Sequence, residues 1–338
     1  MKRATITDVA NLAGVSRSAV SKVIRDAYGV SDEMRQGVEK AMQALNSRPQ
    51  TAARGLRGST FTLGVVLPDI RHPFFPDVLD GVRNALQETP YQSLLAIRPP
   101  NDSEKPLIET MRDRKLDGLI LIAPIIELSY ARTLAMAIPT VILGGHKSHC
   151  GFDTVNNDDE LGARTVVEHF IKQGHQKITY FGTRTQESAV SSPDVFRLKA
   201  YLDTMREHGL AHCISVRDGS DGAAPELDRS VALDLLRAKN RPSAVFAWTD
   251  NLAITLMSVA HEIGLRIPED IAVAGYDNSK FCEVAQISLT SIDQDAHQLG
   301  AKAAELLLQR IAGRTDEIHF VTPPTLIIRR SSEAPPAH

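Results

Sequence analysis

The sequence is poor in cysteine: Cys150, Cys213 and Cys282 are its only three, odd in number and far apart in the chain. That excludes a disulfide framework or a zinc ribbon and fits a reduced compartment. No apolar run approaches the roughly 20 residues that cross a bilayer, so no membrane span is expected. The N-terminus is basic, then amphipathic, without the apolar stretch of an export signal, which points to the cytoplasm. Enzyme signatures are missing too. Gly64-Val65-Val66-Leu67-Pro68-Asp69 has no Gly-rich dinucleotide turn. The chain contains neither a Gly-x-x-x-x-Gly-Lys phosphate loop nor a Gly-x-Ser-x-Gly nucleophile elbow. His146, His149 and Cys150 share one loop, but without a second cluster they fall short of a metal site. No enzyme, metal or other cofactor is therefore expected. Nor is there a repeat of about 20–50 residues, which excludes a solenoid.

What is present is an ordinary globular composition, 43% apolar and 23% charged over 338 residues. At about 150 residues per domain, that length suggests two domains. The net charge of −3 hides an asymmetry. Residues 1–58 carry ten Lys and Arg against five Asp and Glu, a net of +5 that leaves −8 on the rest. A small basic head on an acidic body suggests a polyanion-binding module.

Within that head, Thr5 with Asp8 three residues later resembles a capping box. Ile6, Val9, Ala10 and Ala13 then fall on one helical face. Gly14 is placed to end that helix, and Ser16 to cap the next. Ala19, Val20, Val23 and Ile24 form the second apolar stripe. Two short helices across so tight a turn have the spacing of a helix-turn-helix, with Ala10 and Gly14 expected where the helices approach closely. Ser31 opens a third helix carrying Met34, Val38, Ala41, Met42 and Leu45. Arg17, Ser18, Ser21, Lys22 and Arg25 project from the second helix, away from its apolar stripe. Arg17 and Ser18 lie at its N-terminal end, where a recognition helix meets base edges. Ser16 and Ser21 are placed to reach phosphates.

Beyond residue 58 the pattern changes to alternation. Strand-like runs are expected at Thr62–Leu67, Gln92–Ile97, Leu119–Ala123, Thr140–Leu143, Ile178–Phe181, Ala244–Ala247, Ile271–Gly275 and Leu289–Ile292. Helix-period segments lie between most of them. Short apolar strands between helices indicate parallel sheets covered on both faces. The expected architecture is an all-α helix-turn-helix headpiece plus an α/β body of two doubly wound parallel-sheet lobes. In such sheets ligands bind beyond the carboxyl ends of the strands. Asp69, Phe74 and Phe75, Gly144-Gly145-His146, Thr249-Asp250-Asn251 and Asp277 all fall there, with Arg197 early in a helix. Carboxylates, a guanidinium and an aromatic face suit a polyhydroxylated ligand.

Thr5 through Ser16, with Ala19-Val20-Ser21-Lys22-Val23-Ile24, closely resembles the headpiece of the lac repressor/galactose repressor family. The similarity runs on through Pro49 and Ala52-Ala53-Arg54-Gly55-Leu56 to the body. There Asp69, Asn156-Asn157-Asp158, Arg197, Asp250, Pro268 through Asn278 and Leu289 through Gln294 match. The resemblance implies a DNA-binding domain over 1–58 with a hinge helix at about 50–58. It implies an effector-binding and dimerisation domain of the periplasmic-binding-protein type over 59–331. That body divides into an N-lobe of about 60–160 plus 294–321 and a C-lobe of about 161–293 plus 322–331, before a tail at 332–338. DNA contacts are then expected from Thr5, Ser16, Arg17, Ser18, Ser21, Lys22, Arg25, Ser31, Ala53, Arg54 and Leu56, the last a wedge in the minor groove. Effector contacts are expected from Asp69, Phe74, Phe75, Gly144, Ser191, Arg197, Trp248, Thr249, Asp277 and Gln294.

Four positions depart from the family: Ser47 stands for Tyr, Gln50 for Asn, Thr249 for Asn and Gly144 for Asp. The tail after Arg330 lacks leucine heptads, so the tetramerising helix of the lac repressor is absent and a homodimer is expected. The implied function is a ligand-responsive repressor of carbohydrate-related genes, bound to a double-stranded operator, with a sugar or sugar derivative as effector. The alternative is a regulator responding to a purine or other metabolite as co-repressor.

Overall fold

The computed structural model describes residues 4–24, 27–45, 47, 59–98, 103–146, 151–183, 192–220 and 222–333. Arg25, Ala53, Arg54, Leu56 and Ser191, with the hinge segment at about 50–58, lie outside the described residues. Two compact units emerge: Met1–Thr62 with Met111–Asp117, and Leu63–Thr110 with Gly118–His338.

The first unit holds α1 (Ile6–Ala13), α2 (Arg17–Ile24) and α3 (Asp32–Ala44). The capping box forms with Asp in the place of Glu: Thr5 N–H donates to Asp8 Oδ2 at 2.7 Å, and Asp8 N–H donates to Thr5 Oγ1 at 3.4 Å. Ala19 N–H donates to Ser16 Oγ at 3.1 Å and Met34 N–H to Ser31 Oγ at 3.3 Å, so both serines cap their helices. Gly14 takes φ +67° at the end of α1, and Val15 N–H bonds the Ala10 carbonyl at 3.1 Å. A Cβ on Gly14 would touch nothing within 4 Å. The expectation of a close helix approach there is therefore corrected: the left-handed turn requires the glycine. Val9, Ala10, Val20, Val23, Val38 and Ala41 are buried together as the core.

The second unit alternates strands and helices. Its first half runs β1 (Thr62–Leu67), α4 (Phe74–Leu86), β2 (Gln92–Ile97), α5 (Lys105–Asp113), β3 (Gly118–Ile122), α6 (Leu128–Ala137), β4 (Thr140–Leu143) and β5 (Asp153–Asn157). Then come α7 (Asp159–Lys172), β6 (Ile178–Gly182), α8 (Pro193–Glu207), β7 (Ser215–Asp218), α9 (Pro225–Arg237), β8 (Ala244–Ala247), α10 (Asp250–Glu262), β9 (Ala272–Tyr276) and β10 (Thr290–Asp293). The chain ends through α11 (Ala296–Ile311), β11 (His319–Thr322) and β12 (Thr325–Ile327). One six-stranded sheet has the order β11-β5-β4-β3-β1-β2 and the other β12-β10-β9-β8-β6-β7. The chain thus passes between lobes three times. In each lobe the strand order reverses, between β1 and β3 and between β6 and β8, which makes a switch-point crevice. All described pairings are parallel except β10 with β12.

β5, β7, β11 and β12 escaped the apolar-run reading. β5 is Asp-Thr-Val-Asn-Asn, yet wholly buried. Its polar groups are answered from inside: Asp153 accepts from Arg310 Nη2 at 2.8 Å and from Arg314, and Asn157 Nδ2 donates to the Thr322 carbonyl at 3.1 Å. Ser332, which the family resemblance leaves in the tail, is buried against Thr290. No helix among the described residues is long and apolar enough to cross a membrane.

α4 and α11 lie face to face through glycines. A Cβ on Gly300 would collide with the Val78 carbonyl, and one on Gly81 with the His297 carbonyl. Gly300→Ala should therefore lower stability by about 1–3 kcal/mol, because backbone cannot move aside as a side chain can. A urea midpoint equal to or above that of the parent would contradict this.

Candidate functional site

On the head, Ser16, Arg17, Ser18 and Lys22 are exposed around the start and outer face of α2, and Ser21 is half-buried. Thr5 and Ser31 are also exposed, at the caps of α1 and α3. Ser16 and Ser18 hydroxyls bond each other at 2.8 Å. The helix thus presents guanidinium, ammonium, hydroxyls and its own N-terminal N–H groups on one surface, the chemistry that phosphates and guanine edges accept. Tyr28, in the turn before α3, is fully exposed and was not singled out from the sequence.

In the body, the lobes meet around Arg197. This side chain is 3% exposed, on the second turn of α8. Its Nε donates to Asp159 Oδ1 at 2.6 Å and its Nη1 to the Trp248 carbonyl at 2.7 Å. The guanidinium lies 3.5 Å from the centre of the Tyr276 ring and 5.4 Å from that of Trp248. Burial alone would loosen its proton; the fields of Asp159, then of Tyr276 and Asp277, outweigh that and raise its pKa. Burial likewise opposes the Asp159 charge, but Arg197 and then His146 hold its carboxyl below the ordinary range. His146, after β4 of the first lobe, donates from Nε2 to Asp159 Oδ2 at 2.8 Å and stacks 4.2 Å from Phe196. Tyr276 OH donates to Asn157 Oδ1 at 2.8 Å.

Asp277 directly follows β9 with φ +107°, and Asn278 comes next at +48°. Strain of this kind gathers where a side chain must be aimed. Asp277 Oδ1 accepts from Gln294 Nε2 at 2.5 Å, while Oδ2 is 3.7 Å from His72 Nε2 of the first lobe. Asp250 lies one layer behind. It accepts from Ser279 N–H at 2.7 Å and Ser291 Oγ at 2.6 Å, and so anchors the loop that carries Asp277. Burial pushes the Asp250 carboxyl up. At the rim, Lys280 Nζ meets Asp77 of α4 at 3.0 Å, a further bond between lobes.

The structure thus brings Arg197, Trp248, Asp277 and Gln294 together. The other residues expected there fall differently. Phe74 belongs to the first lobe's core, and Phe75, partly exposed and 5.3 Å from the His72 ring, is the aromatic left to face outward. Asp69 is turned to its neighbour: Arg71 bonds it through Nε and Nη2, the latter at 2.7 Å, and holds its carboxyl below the usual range. Thr249 is buried as the N-cap of α10, its Oγ1 3.5 Å from Leu252 N. Gly144 has φ +79°, a left-handed backbone that a glycine adopts without strain. His72, Asp159 and Phe196 are not singled out by the sequence, whereas His146 falls at the strand edge in Gly144-Gly145-His146 and Tyr276 in the matching run Pro268 through Asn278. Position signals His146, which follows β4 in Gly144-Gly145-His146, and its neighbours His149 and Cys150 fall short of a metal site. Those two lie outside the described residues, among which no cluster could hold a metal.

Comparison with known proteins bears on both regions. Residues 5–50 match the family described as bacterial regulatory proteins, lacI family, and residues 167–332 match a periplasmic binding protein-like domain. The HTH-type transcriptional repressor PurR of Photobacterium profundum is 30% identical over 337 residues, covering 97% of this chain and 98% of that one. This chain belongs to the lacI family. The ribose operon repressor of Haemophilus influenzae is 30% identical over 334 residues, covering 97% of this chain and 98% of its own. The lac repressor dimer bound to operator and the anti-inducer ONPF aligns with a TM-score of 0.83 and 25% identity, over 98% of this chain and 100% of that one. As a lacI-family member the protein is a DNA-binding transcription regulator and not an enzyme.

Proposed function

We propose that this chain is a ligand-responsive repressor that acts in the cytoplasm as a homodimer on a pseudopalindromic operator. α2 enters the major groove with Arg17 and Ser18 on base edges, and the hinge segment, through Leu56, wedges the minor groove. The effector sits between the lobes and is a small carbohydrate or carbohydrate derivative. One observation carries this reading: Arg197 and Asp277, 3% and 7% exposed, are buried and fixed at the carboxyl edge of one sheet, facing the other lobe. A guanidinium and a carboxylate so placed bond pairs of hydroxyls, and Phe75 or Trp248 supplies an apolar face. A ligand there touches the same groups that already bridge the lobes, His146 with Asp159 and His72 with Asp277. It therefore shifts the lobe arrangement and, by linkage of typically about 1–3 kcal/mol, the operator affinity. The similarity to the purine-named repressor supports a second reading, a nucleobase acting as co-repressor.

A thermal-shift screen of the full chain against sugars, polyols and nucleobases tests the effector, with each hit then titrated into an operator-binding assay. A carbohydrate that stabilises the protein and changes operator affinity supports the first reading; hypoxanthine or guanine alone doing so supports the second. Operator affinity should also fall by about 10³–10⁵ between 50 and 200 mM salt, the release expected for roughly 6–10 neutralised phosphates. A fall of less than tenfold would contradict the assigned backbone contacts.

A further inference from the structure

Three cations described at or beside this cleft are each matched by a carboxylate. Arg197 is bonded to Asp159, Arg71 to Asp69, and Lys280 to Asp77 at the rim. Asp277 adds a second buried carboxylate beside Arg197, its Oδ1 bonded by the Gln294 amide and its Oδ2 3.7 Å from His72 Nε2. The buried set Arg197, Asp159 and Asp277 carries two carboxylates against one guanidinium. Two of the three guanidinium nitrogens are committed, Nε to Asp159 and Nη1 to the Trp248 carbonyl.

Neutral hydrogen-bonding groups are by contrast available. Trp248 Nε1 and Thr183 Oγ1 are buried with no hydrogen-bond partner among the described residues. They follow β8 and β6, the two strands that flank the second lobe's switch point. A desolvated anion needs an uncompensated cation or several charge-assisted donors, whereas a hydroxyl needs one neutral partner.

We propose that Asp159 is a specificity-determining residue that makes the cleft select uncharged effectors and reject their phosphorylated forms. The inference rests on the effector site proposed above and concerns the charge of the ligand, not its ring. By holding Arg197 on one edge and His146 on the other, Asp159 consumes the positive charge that a phosphate would use. Its replacement by Asn keeps the shape and frees that charge.

The test uses the full-length protein, with binding read by thermal shift and calorimetry. Matched probes are D-ribose and ribose 5-phosphate, D-glucose and glucose 6-phosphate, hypoxanthine and inosine monophosphate, and inorganic phosphate alone. In the parent, any neutral probe that binds should outbind its phosphate ester by at least about tenfold. Inorganic phosphate should give no shift that depends on Arg197. Asp159→Asn should narrow the gap to less than about threefold and create a phosphate shift, and Asp159→Glu should restore the parent's preference. An ester binding as tightly as its neutral parent overturns the inference, as does a phosphate shift in the parent that Arg197→Lys removes. Absence of a phosphate response in both the parent and Asp159→Asn also overturns it. If Asp159→Asn does not fold, the paired probes and phosphate on the parent decide alone. Binding of hypoxanthine with no sugar response would defeat the carbohydrate reading separately, since charge selection is then read from hypoxanthine against its nucleotide.

Discussion

Asp277→Asn should weaken effector binding by about 10- to 100-fold while leaving effector-free operator binding unchanged. The carboxylate is held by Gln294 through one oxygen and faces His72 across the lobes with the other. Asn keeps the volume and keeps an acceptor for Gln294, but it turns the second oxygen into a donor. A ligand hydroxyl that donates there then meets N–H against O–H. Loss of one charged hydrogen bond in a buried site is worth about 1.5–3 kcal/mol, which sets the range of the effect. Calorimetry with the screened effector reads the first half, and titration with operator in its absence reads the second. Undiminished effector affinity would remove Asp277 from the site; a matching loss of operator binding would mean that the change had damaged the fold instead.

A larger effect is expected from Val20→Asp. Val20 has no exposed surface, and it packs with Val9, Ala10, Val23, Val38 and Ala41. Three short helices bury too little apolar surface to hold more than a few kcal/mol of stability. A carboxylate placed in that core without a partner costs several. The head should unfold and specific operator affinity should fall by at least about 10³-fold, to the level of non-specific binding. The body has its own cores around Val65 and Tyr180, so its thermal transition should stay where it is. Operator affinity within tenfold of the parent would contradict the assignment of that core.

Much of the fold is legible in the sequence. Caps at Thr5, Ser16 and Ser31 are local events, set by a side chain and an N–H three residues away, so sequence spacing reports them directly. Buried strands such as Thr140–Leu143 are continuous apolar runs because helices cover both faces. β5 was hidden because its burial depends on partners more than 150 residues away, Arg310, Arg314 and Thr322. The site divides the same way. Arg197 and Asp277 stand at strand and helix edges that the alternation locates. Asp159 stands at such an edge as well, but its role follows from a guanidinium 38 positions along and an imidazole 13 positions back. Adjacent phenylalanines cannot be told apart by spacing until the helix direction is known, and α4 turns Phe74 inward.

Sequence-specific DNA binding by a dimer through α2 underlies the proposed function. Selection of binding sites from a randomised duplex pool by the full-length protein tests it most directly. A pseudopalindrome with half-sites about one helical turn, or a multiple of it, apart should be enriched. With Arg17→Ala, the base preference should relax at one position in each half-site while the rest of the motif persists. A pool that stays random after repeated selection, or a motif identical for the parent and Arg17→Ala, would contradict it.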